Sequence, residues 1–165
     1  MPLSITRTSV RAEKSWHDFY RNCTSESRES ALEVPFSTMR HAFVAFACIG
    51  WKCNCYVELK DKQELFIAPS LEKEHVAVLV ALAYDRLIAQ GVDYRTAIER
   101  VSSSNGFVPV VEGWAQGGAQ IFRDWLEGSS LGVGSGYPDF PPSPVSPHRT
   151  EALIELVIPE ARRIL

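Results

Sequence analysis

The 165 residues carry 17 Lys and Arg against 20 Asp and Glu, a formal charge of −3, with 45% hydrophobic and 22% charged residues. That balance suits one folded domain with a real core, and it excludes the global cationic field with which a strongly basic protein attracts nucleic acid. Residues 1–13 hold no apolar run of signal-peptide length, and the longest apolar run, 76–84, falls far short of the ~20 residues that span a bilayer, so the expectation is a cytoplasmic chain without a membrane partner, its cysteines reduced.

Residues 1–12 are polar, with Arg7 and Arg11, and are expected to be mobile. From Ser15, the spacing of Trp16, Phe19, Tyr20 and Cys23 predicts a short helix with one buried face. Residues 24–33 are rich in Ser and Glu and read as a solvated loop or weak helix. A second helix begins where Ser37 or Thr38 can cap it, buries Met39, Phe43, Phe46 and Ala47, and stops at Gly50. Residues 51–60 then alternate: Trp51, Cys53, Cys55, Val57 and Leu59 against Lys52, Asn54, Tyr56, Glu58 and Lys60. Period two predicts a strand with one face buried. Asp61 and Lys62 make a turn and 64–68 a returning strand, which places a β-hairpin at about 51–68.

Ser70 caps a long helix running to about Gln90, with Gly91 as its stop. Its middle is apolar on every side, which predicts a central, surrounded helix. Asp93 caps a shorter helix to about Ser103, and Asn105 and Gly106 break the chain. The helix that organises the rest is predicted over 110–126. Val111, Trp114, Gly118, Ile121, Phe122 and Trp125 form one face; Glu112, Gln116, Gln120, Arg123 and Glu127 lie opposite. Pro109 suits its first turn and Gly128 the residue past its end.

Three glycines inside that helix, Gly113, Gly117 and Gly118, each cost about 1 kcal/mol against alanine. Close approach of another backbone is the expected compensation, with the small residues Ala77, Ala81 and Ala83 of the preceding long helix as partner. Gly113, Trp114, Gly117, Gly118 and Trp125 are therefore the predicted helix-packing face, or a face that receives a partner's helix. Residues 128–149 read as a Gly/Pro-rich linker and 150–165 as an apolar docking element capped by Thr150. The whole is a mainly helical α+β protein: a single domain over 1–127 with one β-hairpin, then linker and docking element.

Chemistry is harder to find. Cys53 and Cys55 would share one strand face, but the spacing to Cys48, Cys23 and His41 is wrong for zinc, so the cysteines read as small core residues. None of His17, His41, His75 and His148 stands at ligand spacing from another ligand on one element. Glycines 132, 134 and 136 do not sit between a strand and a helix, as a phosphate loop would. No catalytic residue, metal or cofactor is nominated. Arg40, His41, Lys52, Lys60 and Lys62 form a weak basic set that could contact nucleic acid phosphates, offset by Glu58 and Asp61.

The order of motifs nevertheless resembles a known group. A helix ending in Ala47, Cys48, Ile49, Gly50 and Trp51 leads to Leu59 and Lys60, a short strand around Phe66, a helix with Ala81, Leu82 and Ala83, and finally residues 110–119. In that last stretch Glu112, Trp114, Ala115, Gln116, Gly117 and Gly118 give an acid–aromatic–alanine–amide–glycine–glycine pattern. This is similar to the small accessory proteins of DNA-phosphorothioation (Dnd-type) antiphage systems, over about residues 35–126. It departs from them at Gly113, where a larger residue is more usual, and in a long insertion around 90–104. The resemblance implies a non-enzymatic accessory or adaptor that binds other defence-system proteins, with DNA and a second copy of the chain as further candidate partners. The alternatives are a metal-dependent nuclease or nucleotide hydrolase, built from acids with His41 or His75 brought together by the fold, and a nucleic-acid-binding regulator.

Overall fold

Two helices, α2 (Met39–Lys52) and α5 (Val108–Leu126), cross with their backbones touching, and the other elements pack around that crossing. The computed structural model describes residues 7–25, 35–103 and 106–126. In chain order these form β1 (Ser9–Glu13), a 3-10 turn, α1 (His17–Asn22), α2, β2 (Lys62–Ile67), a second 3-10 turn over Ala68–Ser70, α3 (Lys73–Ala89), α4 (Tyr94–Ser102) and α5. The class is α+β and mainly helical, with one two-stranded antiparallel sheet. Among the described residues no helix is long and apolar enough to cross a membrane. Of the 24–33 segment expected to be solvated, Thr24 is instead fully buried and bridges to Phe36; the rest from 26, the 128–149 linker and the 150–165 docking element lie outside the described residues.

Helix α2 starts where Thr38, extended, accepts a bond from the His41 N–H. It buries every residue from Ala42 to Gly50. Gly50 does not end it, as expected, but lies inside it at the crossing. A methyl group on Gly50 would overlap the Trp114 carbonyl and come within 2.9 Å of the Gly118 nitrogen; one on Gly118 would overlap the Phe46 carbonyl. Gly118 of α5 therefore meets α2, not the alanines of α3. Phe46 fills the space beside the contact, with Tyr20, Phe36 and Phe122 around its ring at 5.2–5.4 Å.

The sheet also differs from expectation. Trp51 and Lys52 finish α2, and 53–61 is irregular. The strand partner of β2 is β1, from the segment expected to be mobile: Ser9 opposes Ile67 and Glu13 opposes Lys62, with a shift between Val10 and Arg11. Inward Val10, Ala12 and Leu65 join the core. The alternation over 51–60 holds in burial except at Tyr56: Leu59 is buried, Trp51, Cys53, Cys55 and Val57 are half-buried and Lys52, Asn54, Glu58 and Lys60 are exposed, but Tyr56, expected on the outward side, packs against Trp114. Beyond the turn at Cys53 and Asn54 the chain lies along a helix and is covered on one side as an edge strand is, so period two reports the side and not the ladder.

Helix α3 ends at Gly91, whose φ of +80° glycine adopts without strain, and α4 is capped by Asp93, which accepts the Thr96 N–H at 3.1 Å. α3 is not surrounded: Val76, Leu79, Leu82 and Leu87 are buried, while Ala77, Val78 and Val80 are only partly covered. The central position belongs to α5.

Gly118→Ala and Gly50→Ala each force backbone apart from backbone, and overpacking of this kind destabilises by about 1–3 kcal/mol. Urea denaturation of either variant should show that loss; stability equal to the parent's would contradict the crossing.

Candidate functional site

The residues singled out from sequence lie along α5 and in a basic set spread over α2 and the start of β2. On α5, Gly113, Trp114, Gly117 and Gly118 all face this chain's own elements. Gly118 meets α2, Gly117 lies under the Cys55 carbonyl, and Gly113 lies under the Tyr56 ring. The Val57 N–H donates to the Gly113 carbonyl at 3.0 Å, fastening 53–61 along the helix. Trp114 is buried, with Tyr56 edge-on at 5.2 Å. The Arg86 guanidinium sits 4.1 Å over the Tyr56 ring and 5.3 Å from the Trp114 ring. Trp125 is partly buried against Phe122. Cys53 and Cys55 flank this seam as free thiols off any strand, and burial pushes the Cys23 thiol up to about 11 and Cys48 up to about 12.

The basic set does not come together. Arg40 and His41 open α2 and Lys52 closes it, about 18 Å further along the axis at 1.5 Å per residue. The Arg40 guanidinium donates to the Ser70 carbonyl at 2.7 Å. Lys60 and Lys62 lie at the start of β2 beside Glu13, whose carboxylate accepts the Lys60 and Asp61 N–H groups at 2.8 and 2.9 Å. The Lys62 ammonium is 3.9 Å from Glu112.

Glu112 and Gln116 were expected on the polar side of α5, yet they are only 4% and 2% exposed. β1 covers them. Glu112 accepts the Arg11 N–H at 2.9 Å and Gln116 accepts the Glu13 N–H at 3.3 Å. Four residues of helix rise about 6 Å and two residues of strand about 6.6 Å. Side chains at i and i+4 of α5 therefore match alternate N–H groups of β1. Burial pushes the Glu112 carboxyl up to about 7, against the lowering pull of the Arg11 N–H and of Lys62. The carboxyl borders a cleft lined by Tyr56, Glu58, Leu59 and Lys62.

A further cluster joins the two histidines, His41 and His75, that the nuclease or hydrolase alternative named, and adds Glu72, which the sequence did not single out. The starts of α2 and α3 lie side by side, tied by the Arg40–Ser70 bond, and bring His41, Glu72 and His75 together. One potential ligand atom from each lies within 4.8 Å of the others. His41 Nε2 is 3.9 Å from Glu72 Oε1, and the two imidazoles meet edge to face at 5.1 Å. Ser37 Oγ is 2.5 Å from His41 Nδ1. His75 Nδ1 is buried without a hydrogen-bond partner, and burial chiefly lowers the His75 pKa below its ordinary value. Glu72 and His75 do stand three residues apart across the first turn of α3; that spacing was visible in sequence, but a helix start assigned to Ser70 hid its place at the cap. His41 comes from another helix and no spacing could have supplied it.

Compared with known proteins, the chain matches no family model, no curated protein and no solved structure.

Glu112 also makes stability depend on pH. Its folded pKa, about 7, lies above the ordinary value of 4.5. Between those values the folded state binds the proton and the unfolded state releases it, so stability falls as pH rises through the window. His75 acts in the opposite sense below its ordinary 6.5, where the unfolded state takes up the proton first, but it is common to any Glu112 variant. Glu112→Gln keeps an acceptor for the Arg11 N–H and removes the titration. Denaturation at pH 5 and pH 7.5 should show the parent losing about 1–3 kcal/mol more than this variant between the two; parallel pH profiles would contradict the buried carboxyl.

Proposed function

We propose that this protein is a cytoplasmic, non-enzymatic accessory of a bacterial antiphage system, acting as an adaptor that binds partner proteins near DNA. The observation that carries the reading is the pattern over residues 47–51, 59–60, 66, 81–83 and 110–119, which resembles the accessories of DNA-phosphorothioation systems. In support, two of its segments are joined in space, where Gly50 meets Trp114 and Gly118. The shared pattern is thus a packing unit, as expected of a scaffold whose work is to present a surface.

The α3–α4 unit offers such a surface. Ile88, Tyr94 and Ile98 are 40%, 67% and 38% exposed, an apolar set on neighbouring helices of the kind that marks partner contacts. Aromatic side chains in such positions supply contact area at little entropic cost. DNA enters through the partners. Direct phosphate contacts from the dispersed Arg40, Lys52 and Lys60 would be weak and lost steeply with added salt.

Affinity capture of the tagged chain from its host should recover proteins encoded beside its gene, and deletion of the gene should lower phage resistance. The Tyr94→Glu, Ile98→Glu double variant, altered only at exposed positions, should keep the parent's thermal midpoint and lose the captured partners. A chain that is recovered alone, with resistance unchanged on deletion, would refute the adaptor reading.

A further inference from the structure

We propose that His41, Glu72 and His75 form a binding site for a divalent transition-metal ion of the zinc class, held by three protein ligands with water completing the shell. The proposal is independent of the adaptor reading.

The donor set is the one such ions prefer: two imidazoles and a carboxylate. Zinc bonds of about 2.0–2.2 Å in a tetrahedral shell place ligand atoms roughly 3.3–3.6 Å apart. The His41 Nε2–Glu72 Oε1 separation is 3.9 Å, and all three ligand atoms lie within 4.8 Å of one another. Small side-chain adjustments close those gaps, because Glu72 is 63% exposed and makes no capping bond.

Two further features fit a ligand set better than a chance cluster. The hydroxyl of Ser37 lies on Nδ1 of His41. With a metal on Nε2, Nδ1 carries the proton and donates it to Ser37 Oγ, the second-layer contact that metal-bound imidazoles generally make. His75 contributes a ring with a buried nitrogen that no protein group satisfies. The charges around the site are mixed: Glu72 and Glu74 favour a cation, and Arg40 opposes it. Arg40 is committed to the Ser70 carbonyl, and that bond brings the two helix starts together.

The site takes one ligand from α2, one from the α3 cap and one from the first turn of α3. Binding therefore clamps the two helix starts. Zinc titrated into the full chain, followed by calorimetry, should give one saturable site. Cobalt in its place should give the visible d–d absorption of a low-coordinate nitrogen–oxygen shell. His41→Gln and Glu72→Gln should each weaken binding by at least tenfold, and Ser37→Ala by about tenfold, with circular dichroism showing all three folded. Because Cys53 and Cys55 offer competing thiols, the same titration on a Cys53→Ser, Cys55→Ser background should be unchanged. Absence of saturable binding, binding indifferent to His41→Gln and Glu72→Gln, or a cobalt spectrum dominated by thiolate charge transfer would each overturn the site.

Discussion

The constraint on which the rest depends is contact between the backbones of α2 and α5. Gly50 and Gly118 leave nothing between the two helices except main chain. Ordinary helix pairs keep their axes about 8–10 Å apart, with side chains filling the interval. Removing the side chains brings many more atoms within dispersion range and offsets the roughly 1 kcal/mol that each interior glycine costs a helix. Phe46, Trp114 and Phe122 seal the flanks, each almost fully buried.

From that crossing the remaining contacts of α5 follow. Gly113 and Gly117, further round the helix, receive 53–61, which leaves α2 directly and has nowhere to lie but along the same groove. The polar stripe of α5 receives β1, whose N–H groups at Arg11 and Glu13 find side-chain acceptors in place of a third strand. A two-stranded sheet is marginal alone. Here helix side chains satisfy its free edge, which also blocks the edge from recruiting another strand. The arrangement buries a carboxyl, and the raised pKa of Glu112 is the electrostatic consequence.

Helix positions were legible because burial of one face repeats every three to four residues, and because Thr38, Asp93 and Gly91 cap or stop helices by local chemistry. The close approach at Gly118 was legible for the same reason: a glycine inside a helix demands an explanation. Its partner was not. Small residues occur both in α3 and at Gly50, and periodicity does not say which of two helices a face meets. The strand error at 51–60 and the missed β1 share a cause, since strand pairing joins residues 49 to 58 positions apart and leaves no local mark on a five-residue segment such as Ser9–Glu13. Glu112 and Gln116 read as a solvated face because polarity is normally a sign of exposure; they are buried because their oxygens accept the N–H groups of β1. His41 joins Glu72 and His75 only through the antecedent packing of α2 on α3, so no motif on a single element could reveal it.

The central claim concerns which backbone lies against the glycines of α5. Proton–proton Overhauser contacts measured by NMR on the full chain read it directly. The account predicts cross-peaks linking the α protons of Gly50 to the amide and α protons of Gly118. Their absence, with Gly118 instead showing contacts to Ala77 or Ala81 of α3, would contradict it.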